Sequence, residues 1–176
     1  MNKVIFSLVV ILTLFVLVSN KGVIQKTKEL SFIRKTKEVK IDCPPSLEMY
    51  YAIERYSDSF NIPKEYAYKI AYKETHYQGP FHWNYNHEQN STAGAVGPMQ
   101  VMVGTARGIN KDGVSRQKLM TDIEYNVMTS MKLMRHLYDL RKSWAVALGE
   151  YNTGKICVNG YARDVLSNDI NWKYYE

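Results

Sequence analysis

Pro63-Lys-Glu-Tyr-Ala67-Tyr-Lys-Ile70-Ala71-Tyr-Lys-Glu74-Thr75 carries Ala67, Ile70 and Ala71 at a three-four spacing, which is one face of an α-helix. The proline suits the first helical turn, where its missing N–H would have no partner in any case. Glu74 extends the apolar face, four residues after Ile70 and three after Ala71. A carboxylate on that stripe is partly desolvated, and burial penalises its charged form and raises its pKa. That is the property a general acid needs near neutral pH. The position also admits a plainer reading, a helix-end glutamate turned to water or paired with Lys69 or Lys73.

The helical rhythm continues on both sides. Upstream, Met49, Ala52, Ile53, Tyr56 and Phe60 form one face of a preceding helix, and Asn61-Ile62-Pro63 breaks the chain after it. Downstream, a loop rich in Gly, Asn, His and aromatic residues leads into Gly94-Ala-Val-Gly97-Pro-Met-Gln100-Val-Met102. This is a compact turn whose glycines allow close backbone approach, followed by a short helix. Residues 122–140 predict a long helix with Ile123, Val127, Met131, Met134 and Leu137 or Tyr138 on one side, its methionines read as core filler. Residues 144–151 predict a short helix stopped by Asn152-Thr-Gly154, and residues 161–166 a last one. No strand pattern, internal repeat or low-complexity tract stands out. The expected fold class is mainly α.

The chain has 176 residues, 45% apolar and 23% charged, an ordinary composition for one globular domain that excludes wholesale disorder, collagen and coiled coil. Two cysteines, Cys43 and Cys157, are too few for a disulfide scaffold. The net charge of +6 raises the question of nucleic acid, but residues 21–40 alone hold +5 and Lys3 supplies the rest. Residues 41–176 carry 15 basic and 15 acidic side chains. A neutral domain behind a basic segment lacks the electrostatic footprint of phosphate binding, so no nucleic-acid partner is expected.

Residues 4–18 (VIFSLVVILTLFVLV) follow a short basic start and match the apolar region of an export signal better than the roughly 20 residues of a comfortable membrane span. No Ala-x-Ala cleavage site follows. We therefore expect a signal peptide or membrane anchor over residues 1–20, a basic linker over 21–41 and the folded domain over 42–176. Positive charge after the apolar run works against export. A cleaved signal with a solvated linker resolves the conflict, and so does a stalk lying on anionic lipid.

Four segments in order resemble the catalytic domain of the family 1 lytic transglycosylases, the soluble-lytic-transglycosylase type with a goose-lysozyme-like fold. Lys73-Glu74-Thr75 resembles the family's catalytic Glu-Ser. The stretch from Ser91 through Gly94, Gly97 and Gln100 to Met102 resembles its Gly-Ala-x-Gly-Leu-Met-Gln-x-Met signature. Asn126 and the apolar positions to Leu137 are similar to its Asn-bearing helix, and Glu150-Tyr151-Asn152-Thr-Gly154 to its Ala-Tyr-Asn-x-Gly. The resemblance spans residues 47–166 and implies a lysozyme-like single helical domain. It also implies Glu74 as the catalytic residue, and Ser91, Gln100, Met102, Tyr151 and Asn152 as residues lining a glycan cleft. Thr75 stands where the family has Ser, Pro98 where it has Leu, and Val103 where it often has Pro. The segment around Gly79-Pro-Phe-His-Trp-Asn-Tyr-Asn-His87 is surplus to the pattern. Its aromatic residues either stack on sugars or belong to an ordinary ordered loop. His76, His82 and His87 match no standard metal spacing, and no metal or cofactor is expected.

The implied reaction cleaves the β-1,4 bond between N-acetylmuramic acid and N-acetylglucosamine in peptidoglycan, with one carboxyl acting as acid and then base to leave a 1,6-anhydro ring. One rival is a hydrolytic lysozyme, in which Glu88, Asp112 or Glu150 holds a water. Glu150 adjoins Tyr151, and neighbours on a helix point about 100° apart, so the two are not expected to share a cleft. The other rival is a glycan-binding component of an envelope-spanning machine. The substrate implies export to the envelope (periplasm), with wall turnover, a secretion or conjugation apparatus and phage lysis left open as settings. In an oxidising compartment Cys43 and Cys157 form a candidate disulfide.

Overall fold

The computed structural model describes residues 43–111 and 113–167. The expected signal or anchor over 1–20, the basic linker over 21–41 and Asp112 lie outside the described residues.

The long apolar periodicities become the two helices that frame the core. Helix α1 (Pro45–Phe60) buries Met49, Ala52 and Ile53 and ends at Asn61 in the left-handed conformation, with φ 51°. Helix α2 (Lys64–Thr75) follows, with Pro63 just outside it as the N-cap, and buries Ala67, Ile70 and Ala71. Two short strands come next, β1 (Ala95–Val96) and β2 (Val101–Met102), then α3 (Val103–Ile109) and α4 (Arg116–Thr121). Helix α5 (Ile123–Arg141) is the spine of the domain, and α6 (Trp144–Thr153) and α7 (Gly160–Leu166) close it. Helix α1 packs along α5, α5 carries α6, and α6 carries α7. Met49, Ile53, Ile70, Val127, Met131, Met134 and Leu148 meet in one core.

Among the described residues, three helix starts are capped by side chains. Asp122 Oδ1 accepts from Tyr125 N at 2.9 Å to open α5, Ser115 Oγ accepts from Lys118 N at 3.0 Å to open α4, and Asn159 Oδ1 accepts from Ala162 N at 3.0 Å to open α7. Gly154 stops α6 in the left-handed region.

Three sequence expectations need correction. The chain does contain strand: β1 pairs antiparallel with β2, Ala95 opposite Met102 and Val96 opposite Val101. Two residues per strand are too few to produce an alternating pattern in sequence. Helix α4 was not anticipated, and at six residues it is too short to display a period. The Cys43–Cys157 disulfide is not formed: Cys157 is a free thiol with Sγ 3.5 Å from Thr153 Oγ1 and 3.9 Å from Gly149 O. Among the described residues no helix is long and apolar enough to cross a membrane.

Candidate active site

Glu74 sits on the last turn of α2, half-buried, and neither lysine claims it. Lys69 is 1% exposed and bonds Glu65 and, at 2.5 Å, Ser167 O, while Lys73 pairs with Asp164 at 2.5 Å. The partner of Glu74 is Tyr161 on α7, whose hydroxyl donates to Glu74 Oε1 at 2.6 Å. Desolvation raises the carboxyl pKa above its ordinary value, against smaller lowering effects from the Tyr161 hydrogen bond and the Lys73 charge. Burial and the facing carboxylate both push the Tyr161 hydroxyl well up, so it stays a donor.

The hairpin turn is fastened to the helix end that bears Glu74. Thr75 Oγ1 donates to Pro98 O at 2.9 Å and shares a 2.8 Å hydrogen bond with Tyr85 OH. Any hydroxyl at this position meets the need, which explains why Thr serves where the family pattern has Ser. From the other side, buried Asn126 on α5 accepts from Met99 N at 3.0 Å and donates to Val96 O at 3.0 Å and Leu119 O at 2.8 Å. Gly97 passes so close that a Cβ there would lie 2.3 Å from Leu119 O, and its φ is 78°. Only glycine fits both demands.

A groove of about 400 Å³ runs beside this turn, and its lining includes Gln100, Met102, Leu133, Glu150, Tyr151 and Asn152. Four of the expected site residues thus share one wall system. Gln100 adopts φ 47° and donates its Nε2 to Gly97 O at 2.8 Å and Gln89 O at 3.2 Å. Tyr151 donates its hydroxyl to Met99 O at 2.7 Å and lies 2.8 Å from Ser130 Oγ. Its hydroxyl pKa is raised by burial and next by the negative charge of Glu74, although Glu74 itself is not among the residues that line the groove. Met102 is exposed at the end of β2, and Asn152 accepts from Asn159 Nδ2 at 3.1 Å. Ser91 is not among the groove residues: its Oγ accepts from Ala95 N at 2.9 Å and shapes the loop before β1.

Glu150 does line the groove together with Tyr151, contrary to the expectation from helical angles. The groove crosses the final turn of α6, so consecutive residues 150–154 all border it whichever way they face. Glu150 is held by Arg141 through two hydrogen bonds, at 2.6 and 2.8 Å, which lower its pKa and keep it ionised. Glu88 is exposed, 3.8 Å from His87 Nε2. His76 is the exposed left-handed cap of α2, and His82 lies against Tyr85 with ring centroids 5.5 Å apart.

Tyr161 is the residue that sequence reasoning missed. It appeared there only as the start of a final helix, and 87 residues separate it from the carboxylate it bonds. No local spacing signals such a pair.

The helical fold, with a groove beside the hairpin turn that is fastened to the end of α2, is that of a lysozyme-like domain. The chain belongs to the Transglycosylase SLT domain family, whose family model matches residues 51–172. It is similar to the 70-kDa soluble lytic transglycosylase of Escherichia coli, with 28% identity over 59% of this chain and 16% of that one and a TM-score of 0.49. A complex of the 70-kDa soluble lytic transglycosylase with bulgecin A matches at 26% identity and a TM-score of 0.51, covering 65% of this chain and 18% of that one. An inactive mutant of lytic transglycosylase Slt from Pseudomonas aeruginosa matches at 20% identity and a TM-score of 0.50, covering 80% of this chain and 21% of that one. This chain therefore spans about a fifth or less of the length of these structures. No curated protein matches it.

Proposed function

We propose that the protein is a peptidoglycan lytic transglycosylase, and that Glu74 carries the reaction. The observation behind this reading is the half-buried Glu74 carboxyl, bonded by Tyr161 and near enough to groove-lining Tyr151 for its charge to raise that hydroxyl's pKa. Raised by desolvation, the carboxyl is held toward its protonated form. It donates its proton to the glycosidic oxygen between N-acetylmuramic acid and N-acetylglucosamine as an oxocarbenium-like state develops. The resulting carboxylate, steadied by Tyr161, takes the proton of the muramoyl C6 hydroxyl while O6 closes on C1. The C1 bond to the departing sugar breaks as that sugar's oxygen takes the first proton, the O6–C1 bond of the 1,6-anhydro ring replaces it, and Glu74 is protonated again. Gln100, Met102, Tyr151 and Asn152 line the glycan path, and Ser91 contributes by shaping the loop at its edge.

A hydrolase would need a second carboxylate free to activate water. Glu150 has both oxygens engaged by Arg141, and Glu88 faces solvent beside His87, so neither favours that rival. The substrate assigns the domain, residues 42–176, to the cell envelope, with residues 1–20 as the export signal or anchor and 21–41 as a linker.

Mass spectrometry of soluble products from peptidoglycan is the test. Muropeptides ending in 1,6-anhydro-muramic acid, absent with Glu74→Gln, are expected. Reducing ends heavier by one water would instead make the protein a lysozyme. No release by either protein would favour a glycan-binding component.

A further inference from the structure

The segment between Gly79 and His87 displays two large apolar rings that the core does not use. Phe81 is 60% exposed and Trp83 63%, and they touch edge to face with centroids 5.8 Å apart. Exposed aromatic surface of this size on a loose loop would carry no message, but this loop is held firmly from beneath. Ser46 Oγ donates to Pro80 O at 2.9 Å, Tyr77 OH donates to Ser46 O at 2.8 Å, and buried Tyr85 packs on Tyr77 at 5.0 Å. The fold therefore presents the two rings to solvent on a rigid base.

The same loop is continuous with the groove. Gln100, a groove residue, donates to Gln89 O at 3.2 Å. Gln89 donates its own Nε2 to Asn86 O at 2.8 Å and to Thr75 O at 3.3 Å, beside Glu74. Tyr85, two residues from Trp83, bonds Thr75 directly. A chain of hydrogen bonds thus runs from the groove, past the carboxyl-bearing helix end, into the base of the aromatic loop. Two exposed asparagines, Asn84 and Asn86, follow Trp83 in the same loop. Exposed flat apolar rings match the apolar C–H face of a pyranose, and exposed amides in the same loop supply partners for its polar rim.

We propose that Phe81 and Trp83 form a sugar-stacking platform outside the groove, where the pair holds hexosamine rings of a glycan strand too long for the groove alone. This inference rests on the transglycosylase reading above. It makes the loop a selector for strand length rather than for the bond cleaved.

The test measures binding of peptide-free muramoyl-glucosamine strands, short and long, to the full chain carrying Glu74→Gln so that no strand is cleaved. Long strands are expected to bind more tightly than short ones. Adding Phe81→Ala and Trp83→Ala lowers the long-to-short affinity ratio by about tenfold. Replacing the pair by Phe81→Tyr and Trp83→Phe, which keeps flat rings, restores the ratio, whereas a folding defect would not follow ring chemistry. An unchanged ratio in the alanine variant overturns the platform while leaving the transglycosylase reading in place. If the alanine variant instead loses binding to anionic vesicles, with the ratio unchanged, the pair belongs to a membrane contact and the platform is equally overturned. If the wild-type chain releases no anhydro product and the Glu74→Gln chain binds neither strand, the functional reading itself fails and the platform with it.

Discussion

Glu74 and Tyr161 are the pair on which the proposed chemistry turns: burial raises the Glu74 pKa and the Tyr161 hydrogen bond works against that rise. Replacing Glu74 by Gln removes the proton donor while keeping its shape, and anhydro-muropeptide release is expected to fall by at least about 10²-fold. Tyr161→Phe leaves the carboxylate without its hydroxyl donor. The hydrogen bond lowers the Glu74 pKa, so its removal raises that pKa further and moves the alkaline limb of the kcat/KM profile to higher pH. A rate reduced about tenfold accompanies the shift. Stability follows the same sign. A carboxyl whose folded pKa lies above its unfolded 4.5 favours folding most below 4.5, and that contribution is lost as pH rises through the folded value. Thermal melts should therefore find Glu74→Gln more stable than wild type at pH 7, with the difference shrinking below the unfolded pKa.

At the level of elements, the hairpin turn is the joint on which the site depends. Asn126 from α5 satisfies three backbone groups of the turn and its neighbours, and Thr75 from α2 holds the opposite side. Asn126→Ala strands those three groups in the interior and is expected to cost roughly 3 kcal/mol or more in urea unfolding. Gly97→Ala combines a strained positive φ with a clash on Leu119 O, and about 2–3 kcal/mol of destabilisation is expected in the same measurement. Gly149 plays a matching part in α6, where an added Cβ would meet Cys157 O at 2.0 Å. That close approach seats the segment leading to α7, and so to Tyr161, against α6.

For the whole molecule, charge and chemistry are segregated along the chain. Residues 41–176 are electrically balanced while residues 21–40 hold +5, so residues 41–176 carry no net charge to draw a polyanion. Deleting residues 1–41 is expected to leave anhydro-muropeptide release from soluble glycan within about twofold of the full chain, because a domain with its own core folds alone. A large loss in that assay would assign the N-terminal segment a part in substrate binding.

The apolar periodicities of 49–60, 67–74 and 123–137 determined by themselves that this protein is helical, because a three-four spacing can bury one face only as a helix. Local motifs went further: the end of the glycine-rich turn at Gln100-Val-Met102 and Tyr151-Asn152-Thr-Gly154 both border the groove. Tertiary structure alone decided what surrounds the carboxyl. Its pairing with Tyr161, the clamp of Asn126 on the turn, the diversion of Glu150 to Arg141 and the display of Phe81 and Trp83 all join residues distant in sequence or depend on which face the packed core leaves open. Such contacts have no period and no spacing. They arise when burial forces unsatisfied polar groups to find partners, and only the folded chain brings those partners within reach.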